Sequence, residues 1–321
     1  MKVLITGITG MTGSHLAEYL LTKPEVSVCG TLRWRDSLKY LAGFEDKLSL
    51  YDCNLRDAYG VANVIREIQP DQIYHLAAET CVATSWKNPD QTINNNISCQ
   101  LNIFEAARQF CPHTRILVTG SSESYGLVSP EDLPVTENTG FKPLSPYGVS
   151  KVSQDVLAYQ YYKSYNMDIV RVRVFNLTGP RQSPKFALAS FARQLALIAS
   201  GKAPPVLQVG NLDAYRDFTD FRDVVKAYWQ ALGHCLPGEA YNVGSGKSRQ
   251  LSAALDQLIE LSGLNVRIKR NPDRMRPSDI PHMVSDITKF KGATGWAPGI
   301  PFQQTLKDLL NYWRNVVEVS E

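Results

Sequence analysis

Tyr147 and Lys151 stand four residues apart in the segment Tyr147-Gly-Val-Ser-Lys151. On a helix that spacing puts both side chains on one face, one turn apart. An ammonium beside a phenol favours the phenolate, so Lys151 is expected to lower the Tyr147 pKa from its ordinary value of about 10. A phenol tuned in this way gives or takes a proton near neutral pH. Upstream, Gly120-Ser121-Ser122-Glu123-Ser124-Tyr125-Gly126 follows a strand-like run, and Ser121 could hold the oxygen that gains or loses the proton. Tyr, Lys and Ser together suggest carbonyl/alcohol redox chemistry. A Tyr-x-x-x-Lys pair is also common as an ordinary helix pair, so its meaning depends on a nicotinamide site elsewhere in the chain.

The N-terminus offers such a site. Residues 2–6 (Lys-Val-Leu-Ile-Thr) form a short β-rich run leading into Gly7-Ile8-Thr9-Gly10-Met11-Thr12-Gly13, and His15, Leu16, Tyr19, Leu20 and Leu21 follow, mostly at helical spacing. In the order strand, glycine-rich turn, helix, glycines let the backbone approach a pyrophosphate whose charge sits at the helix N-terminus. Gly7, Thr9, Gly10, Met11, Thr12 and Gly13 are therefore candidate cofactor contacts. The next strand-like run, Val26–Thr31, continues into Leu32-Arg33-Trp34-Arg35 without a carboxylate before Asp36. An NAD-preferring site usually carries an Asp or Glu at that strand end. Two guanidiniums suit a 2′-phosphate better, which favours NADP(H), with Arg33 and Arg35 as the phosphate candidates. The plainer alternative is a basic surface loop.

The elements that must position these residues follow an alternating pattern. Strand-like runs recur at 2–6, 26–31, 48–51, 72–77, 115–119 and 168–174, with helical patterns at 14–22, 57–68, 92–109 and 146–165 between them. This implies an α/β fold built on a doubly wound parallel, Rossmann-type sheet. Such sheets bind ligands at the carboxyl ends of their strands, where Asp52-Cys53-Asn54, Leu76-Ala77-Ala78-Glu79-Thr80 and Gly120–Glu123 fall. Beyond residue 177 the pattern loosens, with helices expected at 187–200, 220–232, 250–262 and 302–315. Residues 1–177 thus form the expected cofactor domain and 178–321 a smaller substrate domain, interleaved so that parts of 211–245 return to the sheet.

Composition sets outer bounds. The chain has 321 residues, 44% hydrophobic and 20% charged, with a net charge of +3. That balance suits a soluble globular enzyme and gives no reason to expect nucleic acid or membrane as a partner. No apolar run reaches spanning length, and the N-terminus reads as a strand rather than a signal peptide, so a cytoplasmic protein is expected. The six cysteines are scattered without a C-x-x-C pair, which points to buried, inert thiols and to no metal site.

The assembled motifs resemble those of extended short-chain dehydrogenases/reductases of the nucleotide-sugar-modifying kind. The resemblance runs through G-x-x-G-x-x-G at 7–13, His75-Leu76-Ala77-Ala78, Ser121-Ser122-Glu123, Y-x-x-x-K and Phe175-Asn176-Leu177-Thr178-Gly179-Pro180. It continues through Val209-Gly210-Asn211-Leu212-Asp213-Ala214-Tyr215-Arg216-Asp217-Phe218, Tyr241-Asn242-Val243, Arg276-Pro277-Ser278-Asp279 and Gly295-Trp296-Ala297-Pro298. Within that group the 209–218 and 276–279 segments are most similar to those of GDP-sugar 4,6-dehydratases and 4-keto-6-deoxy reductases.

The resemblance implies Tyr147 as acid/base, Lys151 on the nicotinamide ribose, Ser121 on the substrate oxygen and Glu123 in the catalytic set. It adds Asn54, Leu55, Leu76, Ala77 and Ala78 to the cofactor contacts. Ser85, Ser122, Asn176, Arg181, Val209, Asn211, Arg216, Arg276 and Asp279 become candidate contacts to a GDP-sugar, the arginines gripping its phosphates. Asn54 departs from a frequent Asp, Cys99 from a small Gly and Asp279 from a frequent Glu. Glu123 matches the base of a dehydratase, yet similar reductases also carry Ser-Ser-Glu. Ser121 in place of Thr, Phe218 in place of Trp and the short Gly179–Phe186 loop lean toward an NADPH-dependent reductase of a C4 ketone, with the dehydratase as the alternative and another sugar-nucleotide epimerase or a non-catalytic NADP-binding sensor behind it. A homodimer or homotetramer is implied, packed through helices 92–109 and 146–165. Plainer readings stand for other residues: Arg222 in surface pairs with Asp217, Asp220 or Asp223, His75 as a core histidine, Trp296 as packing, and Tyr125 either flanking substrate or walling the sheet.

Overall fold

The apolar runs of the N-terminal half become neighbouring strands of one sheet. In the computed structural model, which describes residues 1–275, 277 and 279–319, the elements run in chain order as follows. The first half contains β1 (Lys2–Thr6), α1 (Met11–Leu20), β2 (Ser27–Leu32), β3 (Ser49–Asp52), α2 (Ala58–Ile68), β4 (Gln72–His75), α3 (Val82–Lys87), α4 (Pro89–Phe110), β5 (Arg115–Ser121), α5 (Pro146–Tyr165) and β6 (Ile169–Val174). The second half adds β7 (Asn176–Thr178), α6 (Ala187–Ala199), β8 (Val206–Val209), β9 (Tyr215–Asp220), α7 (Phe221–His234), β10 (Ala240–Val243), β11 (Ser248–Gln250), α8 (Leu251–Ser262), β12 (Arg267–Arg270), α9 (Thr288–Thr294) and α10 (Phe302–Val319).

The main sheet has seven strands in the order β10-β6-β5-β4-β1-β2-β3, all paired in parallel. Helices cover both faces. One core packs β1, β5 and β6 against α1 and α7, and the other packs α2, α4 and α5 on the opposite side. Burial on both faces explains why these strands read as near-continuous apolar runs. The order reverses between β1 and β4, and a doubly wound sheet opens its ligand crevice at such a switch point.

Among the boundaries that differ from the sequence expectation, three have a plain local reason. β4 stops at His75 rather than at 77, because the Leu76 and Ala77 amides turn to donate to Thr6 Oγ1 at 3.1 and 3.2 Å. α1 starts at Met11 rather than 14, with Gly10 as its N-cap. α4 begins at Pro89, a residue whose fixed φ suits the first helical turn. The short helices α3 and α9 escape a periodicity reading because each spans too few turns to show one.

Smaller sheets, β11-β9-β7 and β12-β8, lie beyond the main one and share a third core with α6, α8 and α10. β10 sits in the main sheet and α7 packs against it, so the chain returns there after leaving it at Val174, the end of β6. Trp296 is a packing residue: it meets Phe290 edge-on and donates its indole N–H to the Asp223 carbonyl. Arg222 bonds Asp220 and Asp308, at 2.8 and 2.7 Å, rather than Asp217 or Asp223.

The helix that carries Tyr147 is held on all sides. Ser145 caps α5, its hydroxyl accepting from the Gly148 amide at 3.0 Å, and Pro146 fills the first turn. Buried side chains lace α4 to α5: Asn96 donates to Ser150 Oγ, Gln100 to the Gln154 carbonyl and Gln154 to the Asn96 carbonyl. Asp155 accepts from both Arg171 and Arg173 of β6, at 2.6 and 2.9 Å. A buried carboxylate shared by two guanidiniums is satisfied in few geometries, which pins the helix against the strand.

Candidate functional site

One cavity of about 440 Å³ opens at the carboxyl ends of β1, β2, β4, β5 and β6. Its floor is the turn between β1 and α1. Gly7 adopts a φ of +69°, and a Cβ there would press Ala77. At Gly13 a Cβ would stand 2.3 Å from the Gly7 carbonyl oxygen, so strand, turn and helix touch backbone to backbone. Gly10 gives α1 no side-chain cap. The first amides of α1 are therefore left for an anion, the arrangement a pyrophosphate requires. Thr9, Met11, Thr12, Asn54, Leu55, Leu76, Ala77 and Ala78 line the same cavity.

Across from that turn stand Ser121, Ser122, Glu123, Tyr147 and Lys151. Ser121 ends β5 and bonds the Tyr147 phenol, while its hydroxyl also accepts from the Glu123 amide at 3.2 Å. Lys151 Nζ donates to the Thr119 carbonyl at 2.9 Å and lies 5.9 Å from the centre of the Tyr147 ring.

The expected tuning runs the other way. Tyr147 is 8% exposed, and its pKa is raised: burial outweighs the hydrogen bond from Ser121, and the Glu123 charge raises it further. Lys151 gives no compensating pull, because burial lowers its own pKa from 10.5 to about 7. Tyr147 is therefore held as a protonated phenol. His75 is a core histidine, paired with Thr6 Oγ1 at 2.9 Å and pushed down to about 3 by burial and by the nearby Lys151.

The Lys151 shift has a measurable consequence. Between pH 7 and 10 the unfolded chain keeps a proton on this lysine that the folded chain has released, so stability rises with pH across that window and is lost as pH falls toward 7. Lys151→Met should melt higher than the parent at pH 6.5 and lose most of that advantage by pH 10. Melting curves at both pH values check this, and an advantage independent of pH would refute it.

The candidate substrate residues divide. Asn176 and Arg216 line the cavity, and the buried Asn176 Oδ1 has no protein partner. Arg216 bonds Asp279 at 2.7 Å, and Asp279 accepts from Asn211 at 2.9 Å. That chain of contacts extends outward from the cavity, which Asn211 and Asp279 do not themselves line. Val209 is fully buried in the third core. Ser85 is spent inside α3, donating to the Val82 carbonyl. Arg181 turns to Glu18 of α1 at 2.7 Å, drawn there by the opposite charge. Arg276 lies outside the described residues. Arg35 stacks on Trp34 at 4.3 Å, exposed and away from the cavity, because a guanidinium finds its nearest favourable surface on the adjacent indole. Tyr125 walls the sheet, fully buried and donating to Asn242 Oδ1 at 2.7 Å.

Sequence reasoning missed several cavity residues. Asp36, Thr119, Gln182, Lys185, Phe186 and Tyr228 all line it. Lys185 belongs to the loop after Gly179-Pro180, whose basic residue was the available signal. Nothing local marks Thr119 or Tyr228, which arrive through the sheet and α7. The cysteines follow the expectation except at Cys81: all six are free and the other five are buried, whereas Cys81 is only half-buried, and Cys53, Cys81 and Cys99 line the cavity.

A glycine-lined dinucleotide cradle facing a Ser-Tyr-Lys set, on a seven-stranded Rossmann-type sheet, defines an oxidoreductase of the extended short-chain dehydrogenase/reductase class. The pattern of the GDP-mannose 4,6-dehydratase family matches residues 4–309. The GDP-6-deoxy-D-mannose reductase of Pseudomonas aeruginosa is 29% identical over 316 residues, covering 98% of both chains. The GDP-mannose 4,6-dehydratase of Yersinia enterocolitica is 30% identical, covering 96% of this chain and 92% of its own. Among solved structures, that of RMD from Pseudomonas aeruginosa complexed with NADPH superposes with a TM-score of 0.85 at 28% identity, covering 98% of this chain and 99% of that one. The chain belongs to the GDP-mannose 4,6-dehydratase family.

Proposed function

We propose that the protein reduces the C4 ketone of a GDP-4-keto-6-deoxyhexose with NADPH, forming GDP-6-deoxy-D-mannose (GDP-rhamnose) or its C4 epimer. The observation that carries this reading is the Ser121–Tyr147–Lys151 set facing the Gly7–Gly13 turn across one cavity. The residues present fit a dinucleotide phosphate: unblocked α1 amides for the pyrophosphate, small Ala77 and Ala78 beside it, and Arg33 on the cavity wall. When bound, the nicotinamide supplies a hydride. Ser121 and Tyr147 hold the ketone oxygen, and Tyr147 delivers its proton to the alkoxide that develops there. Burial keeps that phenol protonated at neutral pH, the state from which a carbonyl reduction starts, whereas oxidation of a C4 hydroxyl starts from the phenolate. Lys151, fixed by the Thr119 carbonyl, is placed to bond the nicotinamide ribose. Arg216 and Asn176 bind the diphosphate side, with Lys185 as a further cation. Residues 1–177 with β10 and α7 serve the cofactor, and the third core serves the sugar nucleotide.

Glu123 lines the cavity and keeps a second reading open to test, the GDP-mannose 4,6-dehydratase. Purified protein given GDP-4-keto-6-deoxymannose should consume NADPH stoichiometrically, monitored at 340 nm, and leave GDP-mannose unchanged. Conversion of GDP-mannose to the 4-keto sugar without net NADPH use would replace the reductase by the dehydratase.

A homodimer and a reducing, cytoplasmic setting belong to the same proposal. Leu101 of α4 and Val149, Val156 and Tyr159 of α5 are exposed, at 38, 41, 50 and 45%, on two helices packed side by side. Such a patch suits a self-complementary interface. Leu101→Asp with Val156→Asp should convert a dimer mass in light scattering to a monomer mass, and an unchanged dimer would refute this interface. Free cysteines fit a reducing compartment, and among the described residues no helix is long and apolar enough to cross a membrane.

A further inference from the structure

A second cavity, of about 260 Å³, opens between the end of β9, residues 245–249 and the start of α10. It shares no lining residue with the first. β11 pairs with β9 at Tyr215, Arg216 and Asp217, while β7 takes the opposite edge at Phe218, Thr219 and Asp220. Before β11, the Ser245 and Gly246 amides turn to the Asp217 carboxylate, at 2.7 and 3.0 Å. That pull draws the chain off β9, and the cavity opens beside Phe218, Thr219 and Asp220. The Gly299 and Ile300 amides both bond Asp223 Oδ2, at 2.8 and 2.7 Å, and so fix the segment that leads into α10. Phe302, the first residue of that helix, stacks on Phe218 with ring centres 5.7 Å apart.

The polar groups of this cavity favour an anion. Thr219 is 3% exposed, and its Oγ1 has no hydrogen-bond partner in the protein. A buried hydroxyl left in that state costs stability unless a bound group meets it. Arg249 lies over the Phe302 ring at 4.5 Å, and its buried Nε also has no partner. Lys247 is exposed and Arg249 half-buried, and among the described residues neither forms an ion pair. Asp220 also lines the cavity, but its carboxylate is bonded by Arg222 Nε and Nη2 at 2.9 and 2.8 Å, so its charge is met. α10 starts at the same cavity, and the leading amides of a helix have no carbonyl within it to bond. Two cations, an unbonded hydroxyl and a helix start converge on one space. That space falls just below the roughly 300 Å³ at which small-molecule sites begin, so its occupant is smaller than a nucleotide.

We propose that this cavity is a second ligand site, which takes a phosphate dianion, free or esterified to a small molecule. Lys247 and Arg249 meet its charge, Thr219 Oγ1 donates to it, and the first amides of α10 add their dipoles. The site stands apart from the dinucleotide cavity and does not depend on the reaction carried out there. β9 joins the two, with Arg216 in the wall of the first and Phe218, Thr219 and Asp220 in the wall of the second.

Calorimetric titration of the full-length protein at constant ionic strength tests this, with inorganic phosphate, glucose 6-phosphate and glucose as probes. The parent is expected to bind at least one of the two phosphates with a Kd of about 1 mM or tighter and to give no binding heat with glucose. Arg249→Gln should weaken the phosphate Kd at least about tenfold, and Lys247→Gln and Thr219→Val at least about threefold each. Lys247 is exposed, so its variant keeps the fold. Thr219→Val removes an unbonded hydroxyl at nearly constant volume, so without ligand it should melt no lower than the parent. A tighter Kd for glucose 6-phosphate supports the site with an ester as its ligand, and a tighter Kd for inorganic phosphate supports it with the free ion. Phosphate binding within about twofold of the parent in all three variants places the anion elsewhere, such as on the turn before α1, and overturns the proposal. Absence of binding by both phosphates at about 20 mM, or equal binding of glucose, overturns it as well.

Discussion

Tyr147→Phe is expected to lower kcat by about 10²–10⁴-fold, equivalent to roughly 2.7–5.5 kcal/mol of transition-state stabilisation. NADPH affinity should stay within about threefold, because the substitution removes one hydroxyl and keeps the ring that fills its place. The surroundings support that separation. Lys151 is fixed by the Thr119 carbonyl rather than by the phenol, and α5 is held by Ser145, Asn96 and Asp155 whether or not the hydroxyl is present. Ser121 would remain, bonded by the Glu123 amide, and would hold the substrate oxygen without a proton to give it. Turnover and calorimetric binding, measured on the same preparation, decide the matter. A variant retaining turnover within tenfold of the parent would remove Tyr147 from the chemistry. A loss of NADPH binding in parallel with turnover would make it a structural residue.

Gly13→Ala should be far more damaging than Gly10→Ala, although both lie in the same turn. The methyl added at Gly13 meets the Gly7 carbonyl oxygen at 2.3 Å and the Ile8 Cα at 2.8 Å, both backbone. No side chain can swing aside, so α1 must move away from β1. That movement misdirects the amides that hold the pyrophosphate, and overpacking of this kind costs about 1–3 kcal/mol of stability. At Gly10 the added methyl meets only the Gly7 carbonyl oxygen, at 3.2 Å, which a shift of a few tenths of an ångström relieves. Gly13→Ala is expected to weaken NADPH binding at least tenfold, about 1.4 kcal/mol, and to lower Tm by several degrees at about 2–4 °C per kcal/mol. Gly10→Ala should change either quantity much less. Equal effects at the two positions would mean that the turn is not the rigid cradle described.

Much of the fold was legible because a parallel sheet buried on both faces writes itself as continuous apolar runs. The strands of the first half appear at the expected places, and α5 spans Pro146–Tyr165 as its Ser145 cap and Pro146 announce. The second half was harder to read. β7, β8, β10 and β11 have only three or four residues each, too short for a period to show, and they exist because distant strands pair with them. The site split along the same line. Residues at strand ends (Gly7 to Gly13, Ala77, Ser121) and on one helix face (Tyr147, Lys151) carry their geometry in local spacing. Arg181, Ser85 and Arg35 looked equally available, yet each had a nearer partner: Glu18, which the fold brings to Arg181, and the local Val82 carbonyl and Trp34 ring for Ser85 and Arg35.

Residue type and spacing by themselves pointed to the chemistry on offer, a strand-turn-helix cradle for a dinucleotide and a Ser-Tyr-Lys set, while the cations for a diphosphate came from the family resemblance. Tertiary structure alone decided the charge states and the partners. Burial raises the phenol of Tyr147 where helical proximity to Lys151 would have lowered it, and because burial lowers Lys151 as well, the lysine 5.9 Å from the ring centre gives no compensating pull. A turn of four residues after β2 brings Asp36 onto Thr9 and Arg33, converting a doubly basic loop into a balanced pair. Local sequence sets which groups a segment carries, but their electrostatics depend on solvent exclusion and on through-space neighbours, and both are properties of the assembled chain.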